Sequence, residues 1–254
     1  MRLFVEALRK ELWQQWRTGR VYVVGAVFVV FGLASPLLAR FTPELLSSLE
    51  GAEQFAQLIP PPTAADALGQ YIKNLTQFGF ILAVLLGMGA VAGEKEKGTA
   101  ALILSKPLPR WAFILSKFVA QGLVYVASFA VAAAGAYGYT LYLFGPLDVG
   151  DFLLINGLLT LWLLVFVAVS ILGSTLGRTT GAAAGISLAG CVLLLILGSL
   201  PKIGSSMPGG LVGWAGALAV GQPVAVNGSA LATSAGLILV CLVAATSLFE
   251  GQEL

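Results

Sequence analysis

The sequence predicts an all-α integral membrane protein with six transmembrane helices, and three observations carry that prediction. Of 254 residues, 58% are hydrophobic and only 10% are charged, against about 25% charged in an ordinary soluble domain. The mean hydropathy is +0.92. Apolar stretches of about 20 residues, the length that crosses a hydrocarbon core as a helix, recur six times along the chain. No water-soluble fold hides that much apolar surface, so one membrane domain over residues 21–254 is expected behind a short N-terminal segment, residues 1–20.

Residues 1–20 carry charge in a helical pattern. Phe4, Leu8, Leu12 and Trp16 recur every four residues on one arc, with Arg2, Glu6, Arg9, Lys10 and Arg17 on the other, which reads as an interfacial amphipathic helix. Glu11 lies near the apolar arc and interrupts it. Trp16 and Tyr22 suit the headgroup level. The first span follows at about 21–39, uncharged, with Pro36 near its far end.

Residues 40–74 read as an outer helical insert. Thr42 and Pro43 have the form of an N-cap and first helical residue, Thr63 and Asp66 that of a capping box, and Pro60, Pro61 and Pro62 separate the two pieces. The second span is expected at 75–92 and the third at 118–144, with Lys117 at its inner edge. The fourth and fifth, at 152–176 and 182–200, are separated only by 177–181 and form a tight hairpin. Gly173, Gly177, Gly181 and Gly185 recur at intervals of four there, stripping side chains from a line along which backbones pack closely. Residues 201–230 are rich in Gly, Pro and Ser yet nearly uncharged, which suits shallow re-entrant helices better than a solvated loop. The sixth span is expected at 231–249.

Orientation follows from lysine and arginine. Eleven of the 14 fall in residues 1–20, in 93–117 and at Arg178, whereas Arg40, Lys73 and Lys202 fall on the other side. The positive-inside rule therefore places both termini in the cytoplasm of a multi-pass protein of the cell membrane. The composition also narrows function. There is no histidine, no acid/base pair or metal-ligand cluster within the spans, and no G-x-x-x-x-G-K-[ST] phosphate loop. Neither an enzyme, a proton-driven pump nor an unaided nucleotide hydrolase is expected, and no cofactor or metal is expected in this chain. Basic residues do not gather on one face with aromatics between them, so nucleic acid is not an expected partner. Cys191 and Cys241 lie within spans and read as packing residues.

The segment 93–110, GEKEKGTAALILSKPLPR, is the expected docking point for a partner. Thr99 is placed to cap a short helix carrying Leu102 and Leu104, and Pro107 stops it. A solvated loop held by pairing Glu94 and Glu96 with Lys95 and Lys97 explains the same residues equally well. Gly93, Glu94, Glu96, Gly98 and Thr99, followed by Leu102, Leu104, Pro107 and Arg110, closely resemble the first intracellular loop of ABC-2 type transporter permeases. That resemblance extends over essentially the whole chain and implies a type V exporter-like fold in which this loop is the coupling helix against a separate ATPase subunit. Ala101 departs from the pattern, since many relatives carry an acidic residue there. The insert at 40–74 resembles the branch that includes the nitrous oxide reductase maturation permease.

The resemblance implies a permease subunit of an ATP-driven exporter, paired with a second copy or a similar permease across the first and fifth spans. ATP and magnesium would sit on the partner ATPase, and membrane lipid would surround the spans. A membrane anchor or scaffold, or a channel or secondary carrier, are the rival readings. The scattered interior polar groups Gln121, Asn156, Thr160 and Ser170 suit an amphipathic or lipid-like cargo better than a highly charged ion.

Overall fold

The computed structural model describes residues 2–48, 60–100 and 108–252. Helix α1 (Arg2–Arg17) precedes the first span α2 (Arg20–Ser47). The second span α3 (Ala64–Gly87) is followed by a short helix α4 (Ala92–Glu96), and the third and fourth spans are α5 (Arg110–Phe144) and α6 (Val149–Leu176). The fifth span α7 (Thr180–Ser199) leads through a 3-10 turn (Gly204–Ser206) and helix α8 (Gly209–Ala219) to the sixth span α9 (Gly228–Glu250). Among the described residues six helices are long and apolar enough to cross a membrane, and an even number of crossings leaves α1 and the end of α9 on the same end of the bundle. That end also holds α4 and is called the charged end below.

The spans run longer than the apolar stretches that announce them. Helix α2 passes through both Pro36 and Pro43 without stopping, so Thr42 and Pro43 do not open a separate helix. The residue before each proline donates its hydroxyl one turn back, Ser35 to Phe31 O and Thr42 to Leu38 O, which serves a polar backbone group in a turn where proline removes one donor. The capping pair is present, because the Asp66 carboxylate accepts from the Thr63 amide and hydroxyl at 2.7 Å each. It opens the second span itself and not an outer helix. Helix α5 begins eight residues before the expected start of the third span, so Lys117 lies well inside a helix.

Helix α6 is the axis of the bundle. In its most apolar stretch 67% of residues are buried by the rest of the chain, against 17% for α7 and for α9. It packs against α3, α5, α7, α8 and α9, while α2 packs between α3 and α5. The outer faces of α7 and α9 are left to lipid or to another subunit. Helix α8 has 11 residues, about 16 Å at 1.5 Å per residue and too short to cross. It buries Leu211, Trp214 and Ala215 against the bundle, and Asn227 Nδ2 donating to Ser205 O brings the chain after it back beside the chain before it.

The glycine line divides in two. A Cβ on Gly173 would lie 2.4 Å from Ser187 Oγ and one on Gly177 2.6 Å from Ala183 N, so both are required for α6 and α7 to meet. Gly181 and Gly185 face open space and take no part in that contact, because α7 meets α6 through Ala183, Ser187 and Cys191 on another of its faces. Only half of the expected packing line packs within the chain.

Candidate functional site

The charged end is built around α4, whose five residues AGEKE send each charge to a different part of the bundle. Helix α3 stops at Gly87 because its backbone crosses α6 there: a Cβ on Gly87 would lie 2.3 Å from Ser170 Cβ. The chain then breaks over 88–91, leaving backbone groups that need partners. Ser174 of α6 supplies them, accepting from Val91 N at 2.9 Å and Ala92 N at 3.0 Å and donating to Met88 O at 2.6 Å. One buried hydroxyl thus fixes where α4 starts and how it points.

Glu94 turns into the protein. Its Oε1 accepts from Lys10 Nζ of α1 at 2.8 Å, and its Oε2 lies 2.9 Å from Lys117 Nζ of α5 as an ion contact without hydrogen-bond alignment. Glu11 of α1 closes the set, with Oε1 at 2.9 Å from Lys10 Nζ and 3.0 Å from Lys117 Nζ. The four side chains form a ring of alternating charge. Lys117 is 2% exposed and both carboxylates 10%, while Lys10 is 40% exposed, so water reaches the ring from the Lys10 side only. Burial alone would lower the Lys10 pKa, yet Glu11 and Glu94 outweigh it and hold the ammonium above its ordinary value. Burial likewise works to raise Glu11, and Lys117 and Lys10 outweigh it, keeping the carboxyl below the usual carboxylate range.

Lys95 and Glu96 act on helix ends. Lys95 Nζ donates to Thr175 O and Gly177 O, at 2.5 and 3.2 Å, which places a cation on the unpaired carbonyls at the C-terminus of α6. Glu96 Oε2 accepts from Thr180 N at 3.0 Å and Thr180 Oγ1 at 2.6 Å, which places an anion at the N-terminus of α7. Both placements match the sign of the helix dipole. Arg110 completes the end by donating to Phe249 O, to Glu250 O at 2.6 Å and to Gln252 O at 3.1 Å, with its guanidinium over the Phe249 ring. It clamps the C-terminus of the last span.

The intraloop pairing of Glu94 and Glu96 with Lys95 and Lys97 is therefore corrected. No such pair forms among the described residues, because buried lysines and free helix ends compete for the same charges. Thr99 is already helical and its hydroxyl donates back to Glu94 O at 3.2 Å, so it is not the N-cap. Gly98 takes a positive φ of 66°, a conformation that favours glycine and turns the chain after α4. Gly93 lies against Thr180. Leu102, Leu104 and Pro107 fall outside the described residues.

On α1, Phe4 stacks on Trp111 with centroids 6.1 Å apart, and Trp16 meets Tyr22 at 5.2 Å. The face of α1 turned to the bundle carries buried Glu11 and Gln15, while Leu8 and Leu12 are half-buried and Trp16 is 54% exposed. Of the apolar arc, Phe4 thus turns to α5, while Leu8, Leu12 and Trp16 stay partly or largely open outside the contact with the bundle. Lys10, Glu11, Lys117, Ser174 and Thr180 were not picked out as site residues by pattern. The available signal was a carboxylate out of place beside an apolar arc and a lysine at the threshold of a span, two opposite charges that each need a partner.

Over residues 7–207 the chain matches the family described as ABC-2 family transporter protein. It is also similar to the "Uncharacterized transmembrane protein YxlG" of Bacillus subtilis (strain 168), 29% identical over 195 residues that make up 76% of each chain.

Proposed function

This chain belongs to the ABC-2 family of transporter membrane proteins, a permease subunit, and we propose that it drives export using ATP hydrolysed by a separate ATPase chain that presses on its charged end. The observation that supports this reading is the ion ring, which joins Glu94 of the loop after the second span to α1 and α5. Force applied to that loop reaches α6 and α7 through Lys95 and Glu96 and α9 through Arg110. A push at one place moves the ends of α6, α7 and α9 together with α1 and α5, as an alternating-access change requires. In this reading the charged end faces the cytoplasm, the ATP and magnesium belong to the partner, and two permease subunits form the path.

The test is reconstitution in nanodiscs with the ATPase subunit of the same transporter. Replacing Leu102 and Leu104 with Asp buries charge where apolar docking is proposed, so ATPase capture and permease-dependent hydrolysis fall together while the thermal stability of the permease stays near wild type. Normal capture and stimulation by this variant would show that the loop is not the coupling element. Glu94→Gln should bind the ATPase but stimulate it less, since it loosens the link behind the docking surface.

A further inference from the structure

We infer that the charged end carries a binding site for the phosphodiester headgroup of an anionic glycerophospholipid, with a neighbouring groove on α1 for its acyl chain. A cavity of 440 Å³ opens between α1, the start of α2, the 88–93 break and the start of α7, a volume within the ordinary range for small-ligand sites. Among the described residues its basic groups are Lys10, Arg20 and Lys97, and its one carboxylate is Glu94. Lys10 and Glu94 are spent on the ion ring together with Glu11 and Lys117, a set that is neutral by itself. Glu96, the other carboxylate that feels Lys97, is held by Thr180.

Arg20 and Lys97 are thus left as two positive charges with no hydrogen bond or ion pair among the described residues. The Arg20 side chain reaches in to Gly89, with Nη2 3.9 Å from where a Cβ there would stand. A planar guanidinium and an ammonium converging on one polar cavity is an arrangement that fits a phosphate group.

Depth in the bilayer selects the source of that phosphate. Arg20 is the first residue of the first span, and Trp16 and Tyr22 pack together beside it with their faces exposed, the position aromatic side chains take at the headgroup level. The ligand within reach there is a lipid. A second, open and mainly apolar groove of 1120 Å³ runs along α1 from Val5 past Leu8 and Leu12 to Trp16, with Glu6 and Arg9 also on its wall, and shares Lys10 with the polar cavity. A polar cavity and an apolar groove meeting at one lysine match the two halves of an anionic amphiphile, and the charge complements the anionic surface of such a membrane.

The experiment uses the full chain alone, in nanodiscs of phosphatidylcholine with a minor share of phosphatidylglycerol, followed by native mass spectrometry of the lipid that stays bound. Wild type should retain phosphatidylglycerol in preference to phosphatidylcholine. Lys97→Gln, an exposed change that leaves the fold alone, should cut that retention about fivefold, and Arg20→Gln with Lys97→Gln by about the square of that, since each cation near an anionic lipid is worth roughly a factor of five. Arg40→Gln with Lys73→Gln, at the other end of the bundle, should change nothing. Equal retention by the Lys97→Gln and wild-type chains, equal loss in the Arg40/Lys73 variant, or no preference over phosphatidylcholine would overturn the site. Inorganic phosphate added to lipid-neutral nanodiscs separates the sources: binding of free phosphate as strong as that of the lipid would overturn the lipid as ligand.

Discussion

The two ends of the bundle hold their helices by different means. At the charged end, four ionised side chains from α1, α4 and α5 share one ring in which all but Lys10 are buried, and charged groups from α4 and α5 clamp the ends of α6, α7 and α9. At the opposite end the ties among the described residues are neutral: Tyr71 Oη donates to Asn156 Oδ1 at 2.6 Å, Asn74 Nδ2 to Ser35 Oγ at 3.0 Å, and Asn227 Nδ2 to Ser205 O at 2.8 Å. A neutral bond that opens leaves groups that other donors or a lipid-borne water replace at modest cost. A buried ring that loses one member leaves a net charge in a poorly solvated place. The charged end should therefore move as one body or come apart as one, whereas the opposite end is free to re-pair as a path opens and closes.

The sharpest way to break this contrast is to remove one charge and one neutral partner in separate variants. Lys117→Met leaves Glu11 and Glu94 with Lys10 alone and should cost about 3–5 kcal/mol, read as a large fall in Tm in nanodiscs. Tyr71→Phe should cost only about 0.5–1.5 kcal/mol. Equal costs would mean that the ring is hydrated in the membrane-bound protein and that the two ends do not differ in kind.

A smaller effect separates the two halves of the glycine line. Gly177→Ala drives a methyl into the Ala183 backbone and should destabilise by about 1–3 kcal/mol. Gly185→Ala faces open space and should be neutral or gain up to about 1 kcal/mol from helix propensity. A matching loss at both positions in the isolated permease would show that the outer face of α7 is covered, which thermal unfolding as a function of protein-to-detergent ratio would reveal.

Glu96→Gln keeps a neutral acceptor on Thr180 and removes only the charge at the start of α7. A slight decrease in Tm that disappears at high salt is expected, because an exposed charge at a helix end is screened. Loss that survives high salt would make the contact geometric and not electrostatic.

The least response is expected from pH near neutrality. Glu11 has a lowered folded pKa, so its contribution is complete above the ordinary carboxylate value and fades as pH falls through the lower one. Lys10 has a raised folded pKa, so its contribution is complete below the ordinary lysine value and fades as pH rises through the higher one. Stability should be flat from about pH 5 to 9 on this account and fall at more acid pH. Replacing Glu11 with Gln should reduce the acid-side loss; an unchanged acid limb would place its origin elsewhere.

Much of this was legible in the residues. Composition and apolar length required six crossings, because only a helix satisfies its own backbone in lipid, and Thr63 with Asp66 marked the start of a helix correctly. The motif 93–99 drew attention to the segment whose Glu94, Lys95 and Glu96 meet other helices. Its boundaries and partners were less legible: Pro36 and Pro43 look like stops in one dimension, yet neighbouring helices hold α2 together around them. Glu94, Lys95 and Glu96 look like partners for one another, since adjacency is all that a sequence displays.

The sequence by itself determined that the chain lies in a membrane, how many times it crosses, and that charge collects toward one side, because those follow from transfer free energies that each residue brings wherever it is placed. Which charges meet was decided only by the tertiary structure. Lys10, Glu11, Glu94 and Lys117 are up to 107 positions apart, and the strength of their contact depends on distance and burial, which exist only once α1, α4 and α5 are packed.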